Sequence, residues 1–525
     1  MIAGPAHLLR LARAAFVFAR EGVFGIVDPI MAPAGARPLI RVVRLFERRT
    51  TGPAEARLSA ALTRLGPSYV KLGQFLATRP DVVGAALARD LESLQDRMPP
   101  FSQAEAEAAL AASFGKPASA IFTSFGPPVA AASIAQVHRA TIASPTGSRP
   151  VAVKVLRPGV ERRFHADLAA FTFAAKHAEN VSPEARRLRL VEVVDTLRRS
   201  VLVEMDFRLE AAALSEMAEN TRVDPDFRVP EVDWDRTTKE VLTLGWIDGT
   251  PLSDRARLAA KGFELPKLAT ALIQTFLRHA LRDGFFHADM HPGNLFVDDE
   301  GRLVAVDFGI MGRLGLKERL FLAEILHGFI TRDYYRTAEV HFEAGYVPPH
   351  HSVDNFAQAI RAIGEPIHNR TAEEISMARL LTLLLEVTGL FDMRTRPELI
   401  LLQKTMVVVE GVARSFNPRL DIWRVAEPVV REWIELNLGP VGRIQSAASG
   451  AGELARVLSG LPTIASRAVA LLERLEFLTR DGVQLSSETI AAMGRSEGKK
   501  SRWRTIALWI IAATFIGILI AVKQL

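Results

Sequence analysis

The sequence predicts an α+β fold in which a short β-containing section is set between helical ones. Three observations predict it. Two β-like runs flank the turn-rich SPTGSRP within FTSFGPPVAAASIAQVHRATIASPTGSRPVAVKVLRP. The run VAVKVL alternates apolar residues with a lysine, as a half-buried strand does. Long stretches on either side carry apolar residues at helical spacing, and no repeat of fixed period occurs, which argues against a regular βαβ alternation.

Taken in order, residues 1–50 read as one or two helices broken by PAGARP. Leu8, Leu11, Phe16 and Phe18 beside Arg10, Arg13 and Arg20 make a basic amphipathic helix, suited to a membrane surface or to packing on the body of the protein. The arginines rule out a signal peptide. Residues 55–95 read as helix from Leu58, Leu62, Leu65, Val70, Leu72 and Phe75, and Pro99 with Pro100 ends it. The β-containing section follows, then a helical section over 159–220. TKEVLTLGWIDGTPLSD reads as a strand entering a turn, and LPKLATALIQTFLRHALRDG as an amphipathic helix ending at Gly284. Residues 314–495 are helix-rich.

The expected domains are an N-terminal helical extension (1–100), a small β-containing lobe (101–250), a helical lobe (251–345), additional helices (346–498) and a terminal anchor (505–522). The anchor reads TIALWIIAATFIGILIAV, eighteen residues without a charge, near the lower length of a membrane-spanning helix. Lys499, Lys500, Arg502 and Arg504 precede it, so the long N-terminal part is expected on the cytoplasmic side; Trp503 and Trp509 would lie at the interface.

Composition narrows the functions. The 525 residues carry a net charge of +6, which suits nucleic acid or an anionic membrane. No basic stripe with interleaved aromatics occurs, so nucleic acid is not an expected partner. With no cysteine, disulfides, thiolate zinc sites and cysteine nucleophiles are excluded. There is no HExxH and no dinucleotide fingerprint.

The densest chemistry lies in FHADMHPGNLFVDDEGRLVAVDFG, residues 286–309. Asp289 and Asn294 are five positions apart, and Pro292-Gly293 bends the chain between them, so no helix runs through. LFV, DDEGR and LVAV read as strand, turn and strand. Such a hairpin returns Asp307 to the region of Asn294. Two carboxylates and an amide oxygen then converge, all hard ligands suited to Mg²⁺, as phosphoryl transfer requires. The bland alternative is a turn whose Asp and Asn satisfy local backbone donors. Lys154 stands mid-strand with Val153 and Val155 on the opposite face. A charge there calls for partners, a phosphate and a glutamate. Glu204 is a candidate for the glutamate, its bland alternative being a solvated helix charge, and the resemblance named below implies the pairing. Glu204, Asp206 and Glu210 form no single helical stripe, so a break near 205–207 would help them converge.

At these residues the sequence resembles protein-kinase-like folds: VAVK, a downstream Glu, HADMHPGN and DFG appear in order. More closely it resembles the UbiB/ADCK family of atypical kinases. KLGQ with Lys71 and Gln74, AAASIAQVH at 130–138, and EMD at 204–206 followed by Glu210 match that family's further motifs over about residues 55–345. The resemblance implies a two-lobed kinase-like fold with a helical N-terminal extension, extra C-terminal helices and a C-terminal transmembrane helix. It implies that Asp289 is the catalytic-loop aspartate, that Asn294 and Asp307 hold Mg²⁺, and that Lys154 contacts ATP phosphates. The backbone of Ala130, Ala131, Ala132, Ser133, Ile134 and Ala135 would cover the phosphates. Leu244, Gly245, Trp246 and Ile247 would hold adenine through backbone groups. Lys71 and Gln74 would lie near the nucleotide on an inhibitory helix.

Two departures from ordinary protein kinases matter. Alanines replace loop glycines, which stiffens the loop, and the resemblance implies an altered nucleotide preference and suppressed phosphorylation of proteins in trans. His291 stands where ordinary kinases carry lysine. The resemblance therefore implies an ATP- and Mg²⁺-dependent kinase or ATPase that supports ubiquinone biosynthesis. It would be anchored in the bacterial inner membrane, with membrane lipids, ubiquinone precursors or ubiquinone-biosynthesis enzymes as partners; a homodimer is compatible with it. A nucleotide-binding scaffold without turnover and a small-molecule phosphotransferase remain the alternatives. His287 and His138 each read as packing residues or as chemical ones.

Overall fold

The computed structural model describes residues 3–23, 54–77, 83, 91, 98–367 (apart from 146 and 182), 387–393 and 397–438. The anchor expected at 505–522 lies outside the described residues. Among the described residues no helix is long and apolar enough to cross a membrane. The chain forms two compact units. Among the described residues, the first comprises those up to 215 together with 230–246, and the second comprises 216–229 and those from 247 onward.

The first unit is built on a four-stranded antiparallel sheet, ordered β1-β2-β3-β5. Its strands are β1 (Ser124–Ala131), β2 (Ala135–Ser144), β3 (Gly147–Leu156) and, after β4 (Phe227–Arg228) of the second unit, β5 (Val241–Gly245). The expected hairpin around SPTGSRP is β2–β3, in register from Ala135↔Leu156 to Ser144↔Gly147. Period-two alternation buries Val151, Val153 and Val155 in a cluster with Phe101, Leu110, Phe122, Ile142 and Val241. Helix Gln103–Phe114 covers this face. Ser102 and Glu105 cap its start reciprocally, a capping box that satisfies two orphan backbone donors.

Helices make up the rest of the unit. Helix Ala3–Arg20 buries Ala14, Val17, Phe18 and Ala19 and packs on helices Ala54–Leu65 and Val160–Val181. Its Arg10 meets Asp167 at 2.7 Å, so the basic amphipathic N-terminus packs on the body. The helix expected over 55–95 is broken: Ala54–Leu65 and Pro67–Ala77 are separate. Gly66 lies between them with φ +105°, and a Cβ there would collide with the Arg163 guanidinium. Pro67 then starts the second helix, where a missing N–H costs nothing.

In the second unit, β4, β6 (Gly249–Pro251), β8 (Leu295–Asp298) and β9 (Leu303–Ala305) form a sheet ordered β4-β9-β8-β6, and β7 (Phe285–His287) pairs with β10 (Met311–Arg313). Helix Leu265–Arg278 packs on helices Pro397–Phe416 and Ile422–Leu438. It gives way to a wider π-turn at His279–Asp283 before Gly284, which closes it in the left-handed region at φ +63°. A Cβ at Gly284 would meet the Leu314 carbonyl, so only glycine allows the sharp entry into β7 and the loop beyond it.

Candidate functional site

In the first unit the chemistry starts at Lys154. The alternation that buries its valine neighbours turns Lys154 to the other face of β3. There its ammonium is held 2.9 and 3.0 Å from the two Glu210 oxygens and 5.3 Å from the centre of the Phe207 ring. The expected partner was Glu204, and the structure corrects it: Glu204 pairs instead with Lys71 at 2.6 Å. The cause is the helix break. Helix Leu190–Glu204 ends at Glu204, Met205 leaves helical geometry, and helix Phe207–Asn220 restarts with Glu210 in its first turn. A carboxylate is favoured at that start and disfavoured at the preceding end, where Lys71 compensates it.

The break therefore separates the three acids rather than gathering them. Asp206 faces Arg208, whose guanidinium and backbone N–H donate to it and hold its carboxyl below the usual range. Lys71 and Glu204 are both largely buried. Gln74 is half-buried one turn along the same helix.

Residues 130–135 join β1 to β2. Ala132 donates its N–H to the Ala135 carbonyl, closing a tight turn. Arg157, which no motif had flagged, grips this turn. Its backbone N–H donates to the Ile134 carbonyl, and its guanidinium reaches the Ser133, Ala132 and Pro99 carbonyls at 3.3, 3.3 and 3.0 Å. The same guanidinium covers the Phe101 ring. Three consecutive carbonyls of the loop are thus engaged from one side.

Beside the loop, buried Gln136 accepts from Phe101 N–H and donates to the Phe101 carbonyl and to His138 Nε2. His138 Nδ1–H then donates to the Gly126 carbonyl. This chain fixes a neutral ring stacked on Phe125. His138 is a packing residue, and burial pushes its imidazole down. At the end of β5, Gly245 and Trp246 donate their N–H groups to the Glu231 and Pro150 carbonyls. Two of the donors expected to face adenine are therefore already engaged, while Leu244 is buried at the strand end.

In the second unit, residues 288–294 bend as the Pro-Gly pair predicted. Asn294 N–H donates to the His291 carbonyl, and His291 Nδ1 accepts from Gly293 N–H, so His291 helps to shape the turn. The Asn294 amide nitrogen donates 2.9 Å to Asp289 Oδ2 and 3.2 Å to the Asp289 carbonyl. The Asn294 amide oxygen takes no part in these two bonds, an orientation that follows from the carboxylate and carbonyl being acceptors. The hairpin β8–β9 pairs Leu295 with Ala305, and Val306 N–H donates to the Asn294 carbonyl at 3.1 Å. The expected return of Asp307 to Asn294 is therefore observed at the backbone. Asp307 Oδ1 accepts from Gly309 N–H.

His287, fully buried, accepts the Asp289 N–H on Nδ1 and packs edge-on against Phe308. Burial lowers its imidazole, against the opposing pull of both Asp289 and Asp307. One buried ring thus feels both carboxylates. A residue far along the chain braces this loop: the Thr405 hydroxyl, on helix Pro397–Phe416, lies 3.0 Å from the Ala288 carbonyl.

The chain matches two family models, the ABC1 atypical kinase-like domain over residues 93–341 and the UbiB helical domain over residues 360–421. It is 36% identical over 522 residues to a probable protein kinase UbiB of Marinobacter nauticus, covering 97% of this chain and 94% of that one. A probable protein kinase UbiB of Xanthomonas axonopodis pv. citri is 39% identical over 428 residues, 79% and 77% of the two chains. Among solved structures, the complex of Rv3197 with erythromycin from Mycobacterium tuberculosis is similar at 26% identity and a TM-score of 0.51, covering 72% of this chain and 95% of that one.

Proposed function

For a chain that belongs to the ABC1/UbiB family of atypical kinase-like proteins, we propose an ATP- and Mg²⁺-dependent kinase or ATPase that supports ubiquinone biosynthesis. One observation carries this reading. Asn294 binds the Asp289 carboxylate through its side chain and fixes the strand leading to Asp307 through its backbone. Oxygen donors of two carboxylates and one amide therefore belong to one braced loop and hairpin. Such a donor set suits a hard divalent ion and not a thiophilic one. Asn294 and Asp307 would hold the ion. Magnesium, when bound, would neutralise charge on the phosphate oxygens.

The chain's own residues account for the remaining roles. Asp289 is an exposed carboxylate, oriented by the Asn294 amide, and would accept a proton from the attacking hydroxyl or water. Lys154, preset by Glu210, would take the α- and β-phosphates. Neutral His287 holds the Asp289 backbone and excludes water from beneath the loop. The Ala132–Ala135 turn, clamped by Arg157, would cover the phosphates with little freedom to move.

The acceptor is a lipid-like quinone precursor or an enzyme that modifies one, met at the cytoplasmic face of a bacterial inner membrane through the segment 505–522. A small-molecule phosphotransferase is the second reading, favoured by His291 in place of a lysine. A scaffold that binds nucleotide without turnover is the third. The deciding experiment measures ATP hydrolysis with and without anionic liposomes and a phenolic quinone precursor, beside Asp307→Asn. Mg²⁺-dependent hydrolysis that rises with both additions and is abolished in Asp307→Asn supports the proposal. A variant that still supports quinone synthesis indicates the scaffold.

A further inference from the structure

A second cluster of chemistry lies in the second unit, apart in sequence from the residues above. His350 and His351 end a turn closed by His351 N–H on the Pro348 carbonyl. Asp392 follows the short helix 387–390, whose end is closed by Phe391 N–H on Val387 and Met393 N–H on Thr388. The two segments share one apolar cluster: Val347 precedes the histidines, Phe391 precedes the aspartate, and both are buried with Phe356, Ile360 and Val387. The cluster fixes both backbones, so the polar side chains meet without depending on flexible loops.

Their geometry differs from an ordinary ion pair. In a simple His–Asp hydrogen bond one ring nitrogen meets one oxygen. Here both rings present the same atom to the same oxygen: His351 Nε2 lies 3.3 Å and His350 Nε2 3.8 Å from Asp392 Oδ2. One ligand atom from each residue lies within 4.8 Å of the others. Zinc-type ions hold nitrogen and oxygen ligands at about 2.1 Å, which sets neighbouring donors of a tetrahedron about 3.4 Å apart. The two nitrogen–oxygen separations, 3.3 and 3.8 Å, bracket that edge.

Two further features agree. The imidazole centroids lie 4.1 Å apart with the rings tilted 39° to each other, a proximity that repels when both rings are protonated and is relieved when both donate lone pairs to a shared cation. Asp392 adopts φ +47°, a left-handed backbone uncommon for a non-glycine residue and often found where a side chain is held for a purpose.

We propose that His350, His351 and Asp392 form a site for a divalent transition-metal ion, distinct from the magnesium residues Asn294 and Asp307. Two imidazoles with one carboxylate select zinc, cobalt, nickel or copper over magnesium and calcium, which prefer all-oxygen sets. With no cysteine in the chain, no thiolate competes. His350 and Asp392 are exposed, so the remaining coordination position faces solvent and the ion exchanges with its surroundings. Bound metal would tie the 348–351 turn to the 387–393 segment.

The test uses untagged full-length protein. Zinc binding is followed by calorimetry, cobalt binding by visible absorption, and melting temperature with and without zinc. One zinc ion per chain is expected, undisturbed by excess Mg²⁺, with a higher melting temperature in its presence. His351→Ala and Asp392→Asn should each weaken binding by about tenfold or more and remove the thermal shift. His350→Gln, at an exposed position, should do the same while melting like the parent without zinc. Asp307→Asn should bind zinc as the parent does, which separates this proposal from the kinase reading. Parent-like zinc affinity in the three cluster variants, or no zinc uptake by the parent, overturns it.

Discussion

The Lys154 ammonium sits between both oxygens of Glu210, at 2.9 and 3.0 Å, with the side chains 16% and 6% exposed. Glu210→Gln keeps the shape and removes the charge. Removing one partner of a buried pair costs about 3–5 kcal/mol. The remaining exposure and the Phe207 ring soften this to about 2 kcal/mol. Mg²⁺-dependent ATP hydrolysis should fall about 100-fold, as for loss of one preset charge at a transferring phosphoryl. Urea unfolding and steady-state hydrolysis measure both. Glu204→Gln should lower stability without the same loss of turnover; equal losses in the two variants would show that Glu210 has no special place.

Lys71 and Glu204 form the second pair, and a double-mutant cycle isolates it. Lys71→Ala, Glu204→Ala and the double variant should give a coupling of about 1–3 kcal/mol in unfolding free energy, since the side chains are 12% and 16% exposed. Lys71→Ala should also shift nucleotide affinity or autophosphorylation. A coupling near zero with neither quantity moved removes the pair from any regulatory role.

Arg157→Lys keeps the charge and loses the planar fork that serves three carbonyls. The loop should loosen, raising the KM for ATP by about tenfold with kcat nearly unchanged, because the loss falls on ground-state and transition-state binding alike. A fall in kcat at constant KM would instead assign Arg157 to the chemical step.

Acid should weaken the fold through buried neutral histidines. Burial lowers the His138 imidazole against the opposing charge of Glu107, and lowers that of His341, whose Nδ1 meets the Thr337 carbonyl. The unfolded chain takes up these protons near its ordinary value of about 6.5, and the folded chain only at lower pH. Their contribution is therefore complete above about pH 6.5 and is lost progressively as pH falls through the folded values. Urea midpoints measured from about pH 7.5 down to about pH 5 should decline. His341→Phe, which has no such proton to take up, should show a shallower decline.

The hairpins were legible because their signals are local. The valines around Lys154 fix which side of β3 it faces, and the turn-rich DDEGR fixes how Asp307 comes back toward Asn294. The break after Glu204 was legible as a need, but not its outcome. Which acid reaches which lysine depends on where the next helix restarts, and Lys71 lies more than 130 positions from Glu204. Arg157 carried no signal because one arginine after a strand has no periodicity to read. Its role rests on carbonyl groups, which sequence does not distinguish. Thr405 was hidden for a similar reason: a hydroxyl inside an apolar helix reads as filler until the helix has a neighbour. The segment 505–522 lies outside the described residues, so its reading rests on hydropathy and flanking charge.

Under the proposed function, Thr405 couples the helical domain to the loop that carries Asp289. Its hydroxyl meets the carbonyl of Ala288, and the next residue in the chain is Asp289. A shift of helix Pro397–Phe416 by one turn, about 5.4 Å, would take that hydroxyl out of reach and release the segment that carries Asp289. Whatever presses on this helix, whether a lipid, a drug or a neighbouring enzyme, would act as a throttle on the reaction without ever entering the nucleotide's place.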